Sequence, residues 1–276
     1  MRIPETRGSA AGFWYHAGMF LFSLVALFAL GAIVASFIGV LVVRLNTGES
    51  FLAGRSRCDA CARPLSPLAL VPIVSYLLSR GRARCCGARL SPYAPLTEAL
   101  LGALFALAYL RVGFAAALLP LLLALGALLA LVLYDLMHQI LPPALLAAFV
   151  LAAAGTGFLL APDLPAFGSS VIVAGALALF LALIHFLSRG RAMGLADAPL
   201  AFGLALLTGP AALSGFVFSF WIGAAIGITI LARRPRGSRM GVEVPFAPYL
   251  AAGFLLAYFI QWNPFAIIAA TSLSGK

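Results

Sequence analysis

Long apolar runs without a charged residue constrain this chain most. Residues 17–43 carry no charge over 27 positions, and residues 198–232 carry none over 35. A helix needs about 20 apolar residues to cross a bilayer, and the whole chain is 63% hydrophobic and 9% charged. A water-soluble domain does not need so much apolar surface. The first run also exceeds the apolar region of a signal peptide, which is roughly 7–15 residues. The sequence therefore predicts an all-α polytopic membrane protein.

Charged residues, prolines and glycines divide the apolar sequence into about eight transmembrane helices. The longest run is broken at Gly209-Pro210, because proline and glycine interrupt helices. The helix before this break reaches a spanning length only if it starts near residues 189–191, which places Asp197 inside it or at its mouth. The predicted helices are 14–43, 92–111, 112–134, 140–161, 163–189, 189–209, 211–231 and 246–262.

One sizeable polar region separates the first helix from the others. It holds all four cysteines and seven arginines, together with many prolines and glycines. Such a composition is typical of a loop-rich segment. We therefore divide the chain into a first segment with one helix (1–44), a cysteine- and arginine-containing loop (45–93) and a membrane helix bundle (94–276).

Basic residues predict the orientation of the helices. The net charge is +10, which in a soluble protein would suggest binding to nucleic acid; here it is explained by basic cytoplasmic loops beside anionic membrane lipid. If the cysteine loop is cytoplasmic, 14 basic residues lie on that side and four on the other. The bias supports this orientation, with no nucleic-acid partner.

Two aspartates at the ends of membrane helices are the candidate catalytic residues. The predicted topology puts Asp135 and Asp197 on the same, cytoplasmic side, although 62 positions separate them. Two carboxyl groups that share a proton can activate water and protonate a leaving amine. Such a pair needs no cofactor for proteolysis. The alternative is that each aspartate caps a helix or pairs with an arginine.

Two further polar residues lie near these acids in the predicted topology. His138 follows Asp135 by three positions and could orient it, although an interfacial histidine without such a role is the simpler interpretation. Glu98 lies about one turn inside the second helix. An ion pair with an arginine is the more favoured role for it, and lining the same cavity is the other.

The four cysteines predict a structural zinc site in the loop. Cys58 and Cys61 form a Cys-x-x-Cys pair, and Cys85 and Cys86 follow 24 residues later. Thiolate clusters bind zinc in reducing compartments, where disulfides are rare. Adjacent cysteines chelate one ion less easily than a second Cys-x-x-Cys pair. A vacant site with free thiols is therefore the alternative.

These motifs together resemble the type IV prepilin peptidases, which are membrane aspartyl proteases with a Gly-x-Gly-Asp motif. Eight segments match the family in order over almost the whole chain. The segments are Ala35–Val40 with Arg44, Arg55–Cys61, Leu70–Leu77, Gly87–Ser91, Pro95–Glu98, Asp135–Pro142 with Gly194–Asp197, and Val244–Leu250.

The resemblance implies a substrate, a cofactor and a location. Members cut the leader of prepilins or pseudopilins after a glycine at the cytoplasmic face of the bacterial inner membrane. Many also methylate the new N-terminus with S-adenosylmethionine. It implies Asp135 and Asp197 as the catalytic pair, with Gly194 and Ala196 beside the second.

Several positions depart from the family pattern. Ala196 replaces the second glycine of Gly-x-Gly-Asp, and Pro199 stands where lysine is common. Gly39 and Pro143 replace asparagine and an acidic or amide residue. In the loop, Ala83 occupies the first cysteine position of the second pair. These departures keep two other classes open: an inactive relative that binds pilins as an assembly factor, and a membrane transporter. We see no inverted repeat of the kind found in transporters.

Overall fold

The computed structural model describes residues 10–47, 50, 56–58, 60–191, 193–233 and 245–261. Within them the chain forms nine α-helices and two short 3₁₀ turns. The helices are α1 (Ala10–Arg44), α2 (Val74–Leu78), α3 (Tyr93–Val112), α4 (Leu118–His138), α5 (Pro143–Leu160), α6 (Leu164–Leu187), α7 (Asp197–Thr208), α8 (Ala212–Arg233) and α9 (Ala247–Ile260). Predicted features outside the described residues are Arg2, Arg7, Arg55, Asp59, Arg234, Arg236, Arg239, Val244, Trp262 and Lys276.

Six of the described segments are long and apolar enough to cross a membrane, and a shorter apolar helix, α9, follows them. One of the six, Asp197–Arg233, contains both α7 and α8. The prediction of an all-α polytopic membrane protein is confirmed. The division into segments 1–44, 45–93 and 94–276 remains a prediction.

Two predicted helix boundaries were wrong. The third helix starts at Leu118 instead of residue 112, because Gly113 takes a positive φ of 63° and residues 113–117 form turns. The sixth helix starts at Asp197 and not at residues 189–191. Positive φ angles at Arg189 and Gly190 end α6 there. The predicted break at Gly209 is confirmed, with a φ of 61°.

The contacts divide the chain into two compact units. The first comprises residues 1–40 and 48–113. In it α1 packs on α3 through two glycines. A Cβ atom on Gly31 would lie 2.7 Å from the Leu101 carbonyl oxygen, and one on Gly102 would lie 2.8 Å from that of Phe28. Small residues that let two backbones approach closely are a common basis of helix association in membranes.

The second unit comprises residues 41–47 and 114–276. Here α7 is the most enclosed helix, with ten of its twelve residues buried. It packs against α5, α6 and α9. The contact with α5 is close, because a Cβ atom on Gly157 would lie 2.6 Å from the Leu206 carbonyl oxygen. α7 is therefore a rigid support for the residue at its start, Asp197.

Helices α8 and α9 run antiparallel in this unit. Gly215 lies against Phe254, Ser219 against Gly253, and Gly223 against Phe246. The Ser219 hydroxyl lies 2.8 Å from the Gly215 carbonyl oxygen and 3.2 Å from that of Leu250. Gly223 is thus level with the start of α9. The remaining ten residues of α8 extend about 15 Å beyond that level.

Candidate active site

Asp135 lies in the last turn of α4 and faces the start of α9. Its side chain is 7% exposed. The backbone N–H of Ala247, the first residue of α9, is directed at its carboxyl group. Helix N-termini attract anions because their first N–H groups lack partners within the helix. The other oxygen, Oδ2, is buried and has no hydrogen-bond partner among the described residues. It is therefore available to a proton, a water molecule or a substrate.

Asp197 is the first residue of α7, and it is also 7% exposed. Its Oδ2 atom accepts a hydrogen bond of 3.2 Å from the backbone N–H of Gly194. This bond holds the carboxylate against the turn that leads into the helix. Asp135 and Asp197 are near enough for the charge of Asp135 to act on the Asp197 carboxyl group.

The path of the chain explains why these acids meet. α4 ends beside Asp135, α5 and α6 follow as a pair of spans, and α7 starts at Asp197. α8 then returns to the same end, since its partner α9 starts at the Asp135 carboxyl group. Two buried carboxyl groups that come within hydrogen-bond reach of each other can share one proton. This arrangement suits acid–base chemistry on a peptide bond.

The two other predicted polar residues, His138 and Glu98, each contact a group of their own unit. His138 is exposed, and its ring packs on Tyr134 with 4.4 Å between the ring centroids. The Tyr134 hydroxyl accepts a hydrogen bond of 3.1 Å from Asn46. Within the first unit, the buried Glu98 accepts a bond of 2.7 Å from the backbone N–H of Ile73. The contact that the structure describes for Glu98 is thus a loop amide, and its predicted ion pair with an arginine stays a prediction.

The departures from the family pattern fit the local backbone. Ala196 has φ −69° and ψ −16°, an ordinary helical conformation that alanine adopts without strain. Pro199 is exposed in the first turn of α7, where backbone N–H groups need few partners within the helix. Pro143 is the first residue of α5, a favoured position for proline. A Cβ atom on Gly39 would meet no atom within 4 Å.

Two groups beside the acids could not be identified from the sequence. One is the Ala247 N–H, because a backbone group leaves no signature in residue type. The other is His185, in the last turn of α6, whose imidazole is close enough to attract the Asp197 carboxylate electrostatically. The sequence predicts the end of this helix near Arg189, but no motif connects His185 with Asp197.

The cysteines lie in two turns of matching architecture. In the first, Arg57 pairs with Pro64, and in the second Arg82 pairs with Arg89. The same two backbone bonds recur 25 residues apart: Cys58 N–H to Arg63 and Ala83 N–H to Ala88, then Ala62 N–H to Cys58 and Gly87 N–H to Ala83. Ala83 therefore occupies the place of Cys58, and Cys86 the place of Cys61.

Cys85 brings the fourth thiol to the cluster. The sulfur atoms of all four cysteines lie within 4.8 Å of one another. Cys61 and Cys85 are 3.4 Å apart, Cys58 and Cys86 are 3.8 Å apart, and Cys85 and Cys86 are 3.9 Å apart. Sulfur atoms bound to one tetrahedral zinc at 2.3 Å would be separated by about 3.8 Å. The donor set therefore fits a zinc ion despite the adjacent cysteines.

Hydrogen bonds distinguish the thiols in this cluster. The backbone N–H groups of Ala60 and Cys61 stabilise the Cys58 thiolate and lower the pKa of Cys58 to about 7. Hydrogen bonds with Cys61 and Cys58 raise the pKa of Cys85 to about 12. A bound metal ion would remove the remaining protons, since coordinated thiols are deprotonated.

Comparison with known proteins gives a consistent result. A family model described as the bacterial peptidase A24 N-terminal domain matches residues 29–112. The chain is 34% identical over 238 residues to a prepilin leader peptidase/N-methyltransferase of Bacillus subtilis, covering 85% of this chain and 93% of that protein. It is 32% identical to the protein of the same name from Dickeya chrysanthemi, covering 87% and 95%. No solved structure is significantly similar to the chain.

Proposed function

Because the chain belongs to the prepilin leader peptidase/N-methyltransferase family, we propose that it cuts prepilin leaders with Asp135 and Asp197 as its catalytic acids. The observation that carries this proposal is that two buried carboxyl groups at one end of the helix bundle lie near enough to interact electrostatically. The chain is a multi-pass membrane hydrolase of bacterial type, as its relatives and helices indicate. The inactive and transporter alternatives are not favoured, because the departures at Ala196 and Pro199 leave the acids together.

The two acids would act as one unit on a water molecule. One carboxylate removes a proton from the water as its oxygen attacks the scissile carbonyl carbon, and the other, protonated, acid donates to the carbonyl oxygen. The leaving amine then takes a proton from the acid that accepted it from water as the C–N bond breaks, and the diol returns a proton to the other acid as the new carboxyl group forms. The Ala247 and Gly194 N–H groups hold the two carboxyl groups in place during these transfers.

We place the acid pair on the cytoplasmic side of the inner membrane. The support is the distribution of basic residues: 14 fall on the side of the cysteine loop and four on the other. Asp135 lies in the last turn of α4 and Asp197 comes after α6, and both of these helices end on the predicted more basic side. A prepilin or pseudopilin, held in the lipid by its apolar helix, would therefore present its leader on the side where it is made.

The proposed function can be tested by mass analysis of a substrate. The chain is co-expressed with a type IV prepilin in a bacterial host that lacks its own prepilin peptidase. We expect the prepilin to lose the mass of its leader, with the new N-terminus directly after the leader glycine. An additional methyl group would show transfer from S-adenosylmethionine. Intact prepilin beside correctly inserted enzyme, with several substrates, would instead support a non-catalytic pilin-binding role.

We further propose that Cys58, Cys61, Cys85 and Cys86 hold one structural zinc ion in the loop. The support is the sulfur geometry, in which Cys85 supplies the ligand that Ala83 cannot. When bound, zinc would crosslink the two turns and add to the folding energy of a loop that has few buried residues.

The zinc proposal predicts a defined metal content and a defined rescue. Purified protein should contain about one zinc per chain, measured by mass spectrometry of the metal. Cys85→Ser should release zinc to a chelator much faster, because three ligands remain. The double variant Ala83→Cys with Cys85→Ala, which has an ordinary Cys-x-x-Cys second turn, should restore retention. Unchanged retention in Cys85→Ser would exclude Cys85 as a ligand.

A further inference from the structure

The residue beside Asp197 that the proposed mechanism does not use is His185. It is half-buried in the last turn of α6, on a different helix from either acid. Its Nδ1 atom lies 2.8 Å from the Met193 carbonyl oxygen. A carbonyl oxygen can only accept, so Nδ1 carries the hydrogen of this bond. His185 therefore ties the end of α6 to the segment directly before Asp197.

The hydrogen bond from His185 and the hydrogen bond to Asp197 involve the same peptide group, Met193–Gly194. The Met193 carbonyl accepts from His185, and the N–H on the other side of that peptide bond, that of Gly194, donates to Asp197 Oδ2. The peptide bond is planar, so fixing its carbonyl oxygen also fixes the direction of its N–H. Hydrogen bonds in a chain polarise one another and strengthen together. His185 thus acts on the carboxylate through one rigid unit.

The turn after α6 is built to hold the histidine in this position. The Gly190 N–H donates to the His185 carbonyl oxygen at 2.8 Å, and the Arg189 N–H donates to that of Phe186 at 3.2 Å. These two bonds form a Schellman motif, with positive φ at Arg189 and Gly190. A Cβ atom on Gly190 would lie 3.3 Å from the His185 ring, so the turn packs directly on the imidazole.

We propose that His185 is a positioning residue for Asp197, which it orients by holding the Met193–Gly194 peptide with its N–H directed at the carboxylate. This inference depends on the proposed function only in that Asp197 is one of the two catalytic acids. The hydrogen-bonded chain exists in the folded protein without substrate. It can therefore be tested by a structural measurement as well as by activity.

The first test separates the hydrogen bond from the volume of the ring. His185→Phe keeps a ring but loses the donor, whereas His185→Asn places an amide N–H where Nδ1 was. We expect His185→Phe to lower kcat about 10- to 100-fold with KM nearly unchanged, because a displaced catalytic group slows chemistry without altering substrate contacts. His185→Asn should recover most of this loss. The same two replacements at Leu187, which is 79% exposed in the same helical turn, should leave cleavage unchanged.

The second test needs no catalysis. Arg189 and Arg191 are exposed in the turn and are sites for trypsin. We expect His185→Phe to speed tryptic cleavage there at least about threefold, with His185→Asn close to wild type. A wild-type kcat in His185→Phe, or equal losses of kcat in His185→Phe and His185→Asn, would overturn the inference. The proposed function would still stand in that case if Asp197→Asn abolishes cleavage. If the wild-type enzyme does not cut prepilin, the proposed function fails. The rate of tryptic cleavage alone then shows whether His185 holds the Met193–Gly194 peptide.

Discussion

Replacing Asp135 or Asp197 by asparagine is expected to abolish prepilin cleavage, with a loss of at least about 1,000-fold in kcat for either variant. Asparagine keeps the shape of the side chain and can still accept the bonds from Ala247 and Gly194, but it cannot transfer a proton. Because the acids act as one unit, the double variant should be no slower than either single variant. Cleavage is measured with purified enzyme in detergent micelles and a prepilin of defined mass.

A matched substitution separates the loss of acid chemistry from the loss of a charge at a membrane-helix end. Asp163 caps α6 and accepts a bond of 2.7 Å from the Ala166 N–H. Asparagine is an equally good cap, so Asp163→Asn should cut at the wild-type rate. Substantial cleavage by Asp135→Asn or Asp197→Asn would remove the acid pair from the mechanism. A double variant far slower than both single variants would show that the acids act independently.

Gly253→Ala is expected to destabilise the second unit, where Gly253 faces Ser219 at the crossing of α8 and α9. A Cβ atom there would overlap the Ser219 backbone, and the helices would have to move apart. Overpacking of this kind lowers the free energy of unfolding by about 1–3 kcal/mol. The Ala247 N–H is at the start of the same helix, so activity should fall as well. The measurement is the thermal unfolding midpoint in detergent.

Gly175→Ala is the control for this substitution, because Gly175 lies within α6 and a Cβ atom there would meet nothing within 4 Å. Alanine is favoured over glycine in a helix by up to about 1 kcal/mol, so this variant should unfold at the same or a higher temperature. An equal drop in both variants would mean that glycine is required for a reason other than the α8–α9 contact.

The parts of the fold that were predictable from the sequence are those that the bilayer determines. Apolar length and the placement of charges locate the helices, because lipid excludes unpaired backbone and isolated charges. The start of α7 was missed for a physical reason. Its twelve residues are too few to cross the bilayer, and extension back to residue 189 assumed that each helix spans alone. Packing against α5, α6 and α9 removes that requirement.

Only the two acids of the candidate site are predictable from the sequence, and their catalytic role stays a prediction. Asp135 and Asp197 could be selected because charged residues are rare among apolar helices. His185 and the Ala247 N–H could not, since their positions depend on how α6 and α9 pack. The departure at Ala196 also required coordinates: only its φ and ψ show that alanine fits there. In the loop, the role of Cys85 depends on the repeated turn geometry and not on cysteine spacing.

The projection of α8 beyond the start of α9 places the Asp135–Ala247 contact at a defined level along the helix bundle. The Asp135–Ala247 contact lies about 15 Å from the end of α8 that carries Arg233. A substrate anchored in lipid by its own apolar helix offers each peptide bond at a fixed depth, since a helix rises 1.5 Å per residue. For the proposed acid pair, the bilayer would therefore select which bond is cut, and the local sequence would need only to let that bond unwind. The glycine expected before the bond would meet this need, as glycine is among the weakest helix formers.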